Sequence, residues 1–202
     1  MAERLFAEQG RYGPSLREIG IAAGSANRNV VQYHFGDREG LIHAIFARRL
    51  PEMEAHRARM LAALPGNPAD ADLRQLIEIL FRPIAECKDE DGRRSFAGFL
   101  RKNSIYRREP RIGTNRDLAP VTTLVTNLIK VALHDVRSDL IGQRLHTCTL
   151  MFLDAFIDVD EGTSIFSEAE AMDEVLTLSV AILRAPDHAA GAERTAPPAA
   201  AS

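Results

Sequence analysis

The chain has 202 residues and a net charge of −3, with 46% hydrophobic and 26% charged residues, as is typical of a globular protein with one domain or a small domain joined to a medium one. No apolar run approaches the ~18 residues that a membrane span needs, and the first residues lack the layout of a secretory signal. The two cysteines, Cys87 and Cys148, are too few for a disulfide framework or a closed zinc site, so we expect a cytoplasmic protein without metal or cofactor.

Helix signals dominate the N-terminal part of the chain. No short stretch bounded by turns alternates apolar and polar residues, so the predicted class is all-α. The first helix covers residues 2–9 and ends at Gly10. Ser15 is a suitable N-cap for a second helix over residues 16–23, because Glu18 follows it at the spacing of a capping box.

Two further helices follow the break at Gly24. The third is short and is predicted from residue 28 to residue 33 or 34, with Asn27 as its N-cap. Asp37 caps a fourth helix that continues towards residue 64, and Pro51 either kinks this helix or marks a change of register.

The rest of the chain repeats apolar positions every three or four residues, which is the spacing of one helix face. Residues 186–202 have little to bury and are predicted to be disordered. We therefore expect a small N-terminal domain over residues 1–46 and a larger domain over residues 47–185. The helical stripes of the larger domain run over Leu73–Cys87, Phe96–Tyr106, Val121–Ala132, Ile141–Val159 and residues 168–184.

Three short helices, the second and third joined by a tight turn with glycine, have the dimensions of a helix-turn-helix unit. Its polar side would present Arg, Asn and Gln, the side chains that read base edges or bind phosphates. The alternative is the solvated face of a small bundle. The predicted inner residues are Leu5, Phe6, Leu16, Ile19, Ala23, Val31, Phe35 and Leu41, and the predicted outward residues are Asn27, Arg28, Asn29, Gln32 and Tyr33.

Several fixed spacings in this region resemble the DNA-binding domain of TetR-type bacterial transcriptional regulators. The resemblance covers residues 2 to about 46 and lies in the runs AERLFAEQG and IGIAAGSANRNVVQYHFGDREGLIHAIF. The matching residues are Leu5, Phe6, Gly10, Ile19, Ala23, Gly24, Tyr33, His34, Phe35, Arg38, Glu39 and Leu41.

The resemblance implies a role for each matching polar residue. Ser15 and Arg17 would contact phosphates at the start of the second helix, and Arg38 would do so at the start of the fourth. Tyr33 and His34 would also contact the phosphate backbone, although a capping or packing role competes for both. Bases in the major groove would be faced by Asn27, Arg28, Asn29 and Gln32.

Two features depart from the family pattern. The interval from Gly24 to Phe35 is one residue longer than in most members, so the base-reading residues are assigned to within one position. Met1 corresponds to a position inside the first helix of the family, so the basic N-terminal arm and the first helical turn have no counterpart. Either the start codon is assigned late, or this protein makes fewer phosphate contacts than other members.

The C-terminal helices of this family build a homodimer and a ligand cavity. Excess apolar surface after residue 138 independently predicts a partner, and a four-helix bundle from residues 138–159 and 168–184 of two subunits would cover it. The alternative is that these helices cover each other within one monomer. Asp154 and Asp158 could receive a cation or form a solvated acidic face. A largely apolar effector would contact Phe96, Phe99, Asn103, Tyr106, Cys148 and Phe152.

The expected function is therefore a ligand-responsive repressor that binds a double-stranded DNA operator. Motifs of hydrolases, metalloenzymes and nucleotide-binding enzymes are absent, so no enzyme activity and no catalytic residue is predicted. A helical dimeric adaptor with weak or no DNA binding is the alternative. Residues 1–50 carry seven Arg and five acidic residues, a charge of +2, whereas residues 51–202 carry −5, and this asymmetry favours a DNA-binding N-terminal domain.

Overall fold

The all-α class predicted from the sequence is confirmed. A computed structural model of the chain describes residues 1–27, 29–103 and 118–187, and these residues form nine α-helices, one short 3₁₀ turn and no strand. None of the helices in these ranges is long and apolar enough to cross a membrane. The helices are α1 (Ala2–Gln9), α2 (Leu16–Ala22), α3 (Val30–Phe35), α4 (Arg38–Ala62), α5 (Leu73–Ala85), α6 (Ser95–Asn103), α7 (Pro120–Ala132), α8 (Ser138–Glu161) and α9 (Glu168–Arg184), with the 3₁₀ turn at Pro68–Asp70.

The predicted caps of α2 and α4 are confirmed. Ser15 and Glu18 form a reciprocal capping box, in which each side chain accepts a hydrogen bond from the backbone of the other. The Asp37 side chain accepts from the amide of Gly40 at 2.8 Å and so begins α4. This helix continues through Pro51 as one element of 25 residues.

Helix α3 begins at Val30, so the predicted start at residue 28 is wrong. The cap is Asn29, which makes no side-chain capping bond, and Asn27 instead accepts from the amide of Asn29 at 3.0 Å. The Ser25 hydroxyl oxygen in turn accepts from the amide of Asn27 at 3.2 Å. Such local side-chain bonds hold the backbone in turns that compete with helix, which delays the start of α3.

The small core of the N-terminal helices contains Phe6, Ile19, Val31 and Leu41, all buried. Two residues predicted to lie in this core do not. Ala23 is exposed because it follows the last residue of α2 and immediately precedes Gly24, which has a φ of +78°. Phe35 is 39% exposed because the late start of α3 places it in the final position of a six-residue helix.

The predicted stripes of the larger domain are helical where they are described, although α5 ends at Ala85, two residues before the predicted end. The stripe that begins at Phe96 is described to Asn103, and α9 has the predicted bounds. The buried faces of these helices join the N-terminal core in one continuous cluster. Phe81 of α5 stacks on Phe152 of α8 with ring centroids 4.5 Å apart. Arg28, Tyr106 and residues 188–202 of the predicted tail lie outside the described residues.

A buried ion pair connects α4 to α5 and α7. Glu54 is 7% exposed and Arg57 is 4% exposed, and their side chains meet at 3.1 Å. Glu54 also accepts the amides of Val121, at 2.6 Å, and Thr122, at 3.1 Å, and so caps the first turn of α7. Arg57 donates to the carbonyl of Leu80 on α5 at 2.9 Å. One carboxylate therefore pairs with a buried guanidinium and also caps a helix N-terminus.

Replacing Glu54 with alanine is expected to lower the free energy of unfolding by roughly 3 to 5 kcal/mol, because Arg57 would stay buried without its counter-charge. Urea unfolding followed by circular dichroism measures this difference. Glu52→Ala, at an exposed position of the same helix, is the matched control and should change the stability little. Equal losses in the two variants would contradict the role given to Glu54.

Candidate nucleic-acid interface

The predicted phosphate-contacting residues of α2 lie at its exposed N-terminus. The Ser15 amide donates to Glu18 at 2.7 Å and its hydroxyl oxygen accepts from the Glu18 amide at 3.1 Å. These bonds hold the pKa of Glu18 below its ordinary value. Arg17 is exposed, and its guanidinium has no ion-pair partner within the described ranges. The guanidinium of Arg17 therefore lies near the N-terminus of α2, and this combination of a cation and a helix N-terminus favours a phosphate.

The predicted base-reading residues lie in the turn before α3 and on α3 itself. Asn27, Asn29 and Gln32 are all exposed. The side-chain oxygen of Asn27 accepts a hydrogen bond in the local turn. The side-chain NH2 group is therefore the part of this amide that is left to contact a base. Asn29 and Gln32 make no such side-chain bond within the described residues, so both amides remain available to a ligand.

Tyr33 and His34 end the polar face of α3. Tyr33 is 84% exposed, and its ring meets that of His34 edge to face at 5.2 Å. Neither side chain packs into the core, since both residues are exposed. An exposed phenol beside an imidazole offers two hydrogen-bond donors at the surface.

Arg38 has a structural role in addition to the predicted one. Its guanidinium donates to the backbone carbonyl of Arg11 and lies 5.9 Å from the ring centre of Phe6. Arg11 is 2% exposed and pairs with Glu39. The start of α4 is thereby joined to the turn after α1, so substitution of Arg38 would alter the fold as well as any phosphate contact.

Sequence reasoning missed two exposed residues of this region. Tyr12 is 61% exposed and Ile21 is 54% exposed. Ile21 follows buried Ile19 by two positions, and two positions on a helix turn the side chain to another face. The spacing from Ile19 therefore could have predicted that Ile21 is exposed. Tyr12 lies in a turn, where apolar periodicity carries no information.

Helix α1 joins the N-terminal helices to the rest of the molecule through Glu3. The Glu3 carboxylate receives two hydrogen bonds from Arg49 of α4, at 2.7 and 2.8 Å, and one from the Ser95 hydroxyl of α6, at 2.6 Å. Burial by itself raises the pKa of Glu3, but the bonds from Arg49 and Ser95 outweigh it and leave the pKa below its ordinary value. Three helices therefore meet at one ionised side chain.

Close packing continues this junction along α1. Phe6 and Phe99 have ring centroids 6.2 Å apart. A Cβ atom added to Gly98 would lie 3.0 Å from the Cβ of Ala7, so glycine lets α1 approach α6 closely. The candidate DNA-binding helices are thus in direct contact with α6.

The candidate effector residues are packed among other aromatic rings. Phe96 and Phe99 stack at 5.7 Å, and Phe99 also contacts Phe46 of α4 at 5.3 Å. Asn103 is 3% exposed, and its side-chain oxygen has no hydrogen-bond partner among the residues that the structure describes. Tyr106 lies outside the described residues.

Cys148 and Phe152 lie on α8 and pack elsewhere in the core. The thiol of Cys148 lies 3.9 Å from the carbonyl of Ser179 on α9, and burial raises its pKa. Phe152 contacts Phe81 and Phe156. Of the two acidic residues considered for a cation, Asp154 pairs with Arg101 at 2.5 Å, and Asp158 is exposed.

Open space is found at other places in the fold. A cleft of about 670 Å³ lies between α1, α6 and α8, and one of about 490 Å³ lies between α5 and α9. A third, of about 220 Å³, lies beside Cys87. None of the five described candidate effector residues lines these three clefts.

No protein-family model and no curated protein matches this sequence.

The Glu3 junction predicts an acid-sensitive stability. A carboxyl whose pKa is lowered by folding stabilises the protein above its unfolded pKa, near 4.5, and this contribution is lost as the pH falls through the folded pKa. Glu3→Gln is expected to lower the free energy of unfolding near neutral pH by roughly 1.5 to 3 kcal/mol, because a charge-assisted network is removed.

Urea unfolding of the wild type and the variant at a series of pH values measures this effect. The difference between the two proteins should shrink below pH 4.5. Glu8→Gln, on the exposed side of the same helix and 3.6 Å from Arg4, is the control and should show little difference at any pH. A constant difference for Glu3→Gln down to strongly acidic pH would refute the ionised junction.

Proposed function

We propose that this protein is a sequence-specific, DNA-binding transcriptional regulator of the TetR type. The observation that carries the proposal is the exposed polar face of α3, where Asn29, Gln32, Tyr33 and His34 project from a short helix packed on α2. Asn and Gln amides pair with adenine in the major groove, which is wide enough for an α-helix. A face of this composition suits base reading better than it suits burial.

Contacts with the phosphate backbone come from the N-terminus of α2 and from the end of α3. Ser15, Arg17, Tyr33 and His34 are exposed there and can donate hydrogen bonds to phosphate oxygens. The charge of +2 on residues 1–50 is modest. We therefore expect few phosphate contacts and a correspondingly shallow dependence of affinity on salt.

The protein acts as a homodimer whose interface is built from α8 and α9. Support comes from the outer side of α9, where Leu178 is 41% exposed and Ala181 is exposed beside half-buried Ile182. A two-fold dimer presents two recognition helices to successive major-groove faces, so the operator is a palindrome.

Regulation follows from a coupling between DNA and a small-molecule effector. The effector binds preferentially to an arrangement of the larger domain in which the recognition helices no longer match the spacing of the grooves. Binding of the effector therefore weakens binding of DNA, with a coupling free energy of about 1 to 3 kcal/mol. Helix α4 carries part of this coupling, and the contact of α1 with α6 supplies a second route. An apolar effector in the aromatic core must displace rings that already contact one another.

Selection of binding sequences from a pool of random duplex DNA tests the proposed function. We expect enrichment of a palindrome whose half-sites lie roughly 10 base pairs, or a multiple of that, apart. A pool that shows no enrichment at any salt concentration would overturn the proposal and favour the helical adaptor.

Two variants separate base reading from phosphate contact on the selected sequence. Gln32→Ala should cost about 1 to 3 kcal/mol of binding free energy and relax the preference at one base position. Arg17→Ala should weaken binding to all sequences alike and reduce the salt slope by about one. Fluorescence anisotropy over a salt series measures both effects.

Arg59→Ala is the matched control, because Arg59 is exposed and lies 21 residues, or roughly 30 Å, beyond the start of α4. It should bind like the wild type. If Gln32→Ala and Arg17→Ala had the same effect, the assignment of Gln32 to base reading and of Arg17 to phosphate contact would be wrong.

A further inference from the structure

The cleft between α1, α6 and α8 has a small apolar floor and a charged rim. Its floor includes Ala7 of α1, Gly98 of α6 and Ile157 of α8. Ala7 and Gly98 lie close together where α1 and α6 meet, and the cleft beside them has a volume of about 670 Å³. This volume is within the range of ordinary small-molecule sites.

Two ion pairs fix the ends of the cleft. Arg94 pairs with Asp160 at one end, and Arg101 pairs with Asp154 at 2.5 Å at the other. Arg94 directly precedes α6 and Arg101 follows Arg94 by seven positions, so the pairs lie roughly 10 Å apart. Arg94 is 3% exposed and also donates to the carbonyl of Ala85 at 2.6 Å. The walls are therefore held in place without a ligand.

Three charged side chains of the lining remain without a partner within the described ranges. They are Arg93, Lys102 and Glu161. Arg93 and Glu161 are the chain neighbours of the Arg94–Asp160 pair, so they lie at the same end of the cleft, yet they do not form an ion pair with each other. Lys102 follows Arg101 and lies at the opposite end.

We propose that this cleft binds an α-amino acid. Arg93 receives the α-carboxylate, since a guanidinium binds carboxylates through two parallel hydrogen bonds. Glu161 accepts from the α-ammonium group. The ligand side chain lies over Ala7, Gly98 and Ile157, and Lys102 at the far end selects an acidic side chain.

Charge balance supports a zwitterion over a simple anion. The lining carries five cations and five carboxylates, so it offers no net attraction to an anion. At one end, Arg93 and Glu161 offer opposite charges that match the adjacent charges of an α-amino acid, while the carboxylate of Asp89 accepts the amides of Asp91 and Arg93 at 3.1 and 2.9 Å. Because α1 forms one wall, the site lies against the unit that we propose binds DNA.

Isothermal titration calorimetry with four matched probes tests the site on the full-length protein without DNA, so its outcome is independent of the proposed DNA binding. The probes are L-glutamate, glutarate, which lacks the ammonium group, 4-aminobutanoate, which lacks the α-carboxylate, and L-norvaline, which lacks the acidic side chain. At constant ionic strength, we expect L-glutamate to bind about ten-fold or more tightly than each of the others.

Variants assign each group of the ligand to a residue. Arg93→Gln and Glu161→Gln should each weaken L-glutamate binding by about ten-fold or more, and Lys102→Gln should reduce it to the level of L-norvaline. The controls Arg59→Gln and Glu174→Gln, exposed and outside the cleft, should bind like the wild type. Thermal unfolding verifies that every variant is folded.

Three results would overturn the proposal. The first is no heat from L-glutamate or L-norvaline at concentrations up to roughly 10 mM, a range that includes weak effectors. The second is glutarate binding as tightly as L-glutamate, which would identify a plain anion site. The third is L-glutamate binding that neither Arg93→Gln nor Glu161→Gln changes.

Discussion

The hydrogen bonds of the Glu3 carboxylate hold α1, α4 and α6 together, and the position of the N-terminal helices depends on them. A half-buried carboxylate must be hydrogen-bonded to remain charged, and Glu3 meets this requirement with Arg49 of α4 and Ser95 of α6. Glu3 lies in the first turn of α1, so its hydrogen bonds fix the position of this end of α1 against α4 and α6. Phe6 and Ala7 then pack against α6 along the next turn.

A continuous series of contacts leads from this junction to the candidate DNA-binding face. Phe6 lies under the guanidinium of Arg38, and Arg38 binds the carbonyl of Arg11 in the turn that precedes α2. The helices α2 and α3 are therefore positioned by α1 and by the start of α4 together. Deeper in the molecule, Glu54 joins α4 to α7 in the same way. These contacts connect α6 with the start of α4 through α1, and they connect α7 with α4 directly.

Local features were predictable from the sequence, and long-range polar contacts were not. The capping box of Ser15 and Glu18 and the cap Asp37 depend on residues three positions apart, and apolar periodicity predicted the helices of the larger domain. The start of α3 was misplaced because the side chains of Ser25 and Asn27 stabilise a turn whose geometry no spacing rule contains. Glu3 and Ser95 are separated by 92 positions, and periodicity cannot indicate that two such residues meet. The aromatic stripe was predicted to line an effector cavity, and its described rings contact one another. A helical aromatic face packs in a core as readily as it lines a pocket, so periodicity alone does not separate the two roles.

Hydroxyl-radical footprinting of Tyr33 tests the account most directly. This side chain is 84% exposed on the proposed DNA-binding face, and its oxidation can be followed by mass spectrometry with and without the selected duplex. Ile165, 90% exposed on the loop between α8 and α9, is the internal reference. Saturating DNA is expected to protect Tyr33 and to leave the oxidation of Ile165 unchanged. Oxidation of Tyr33 at the same rate in the presence of bound DNA would contradict this expectation.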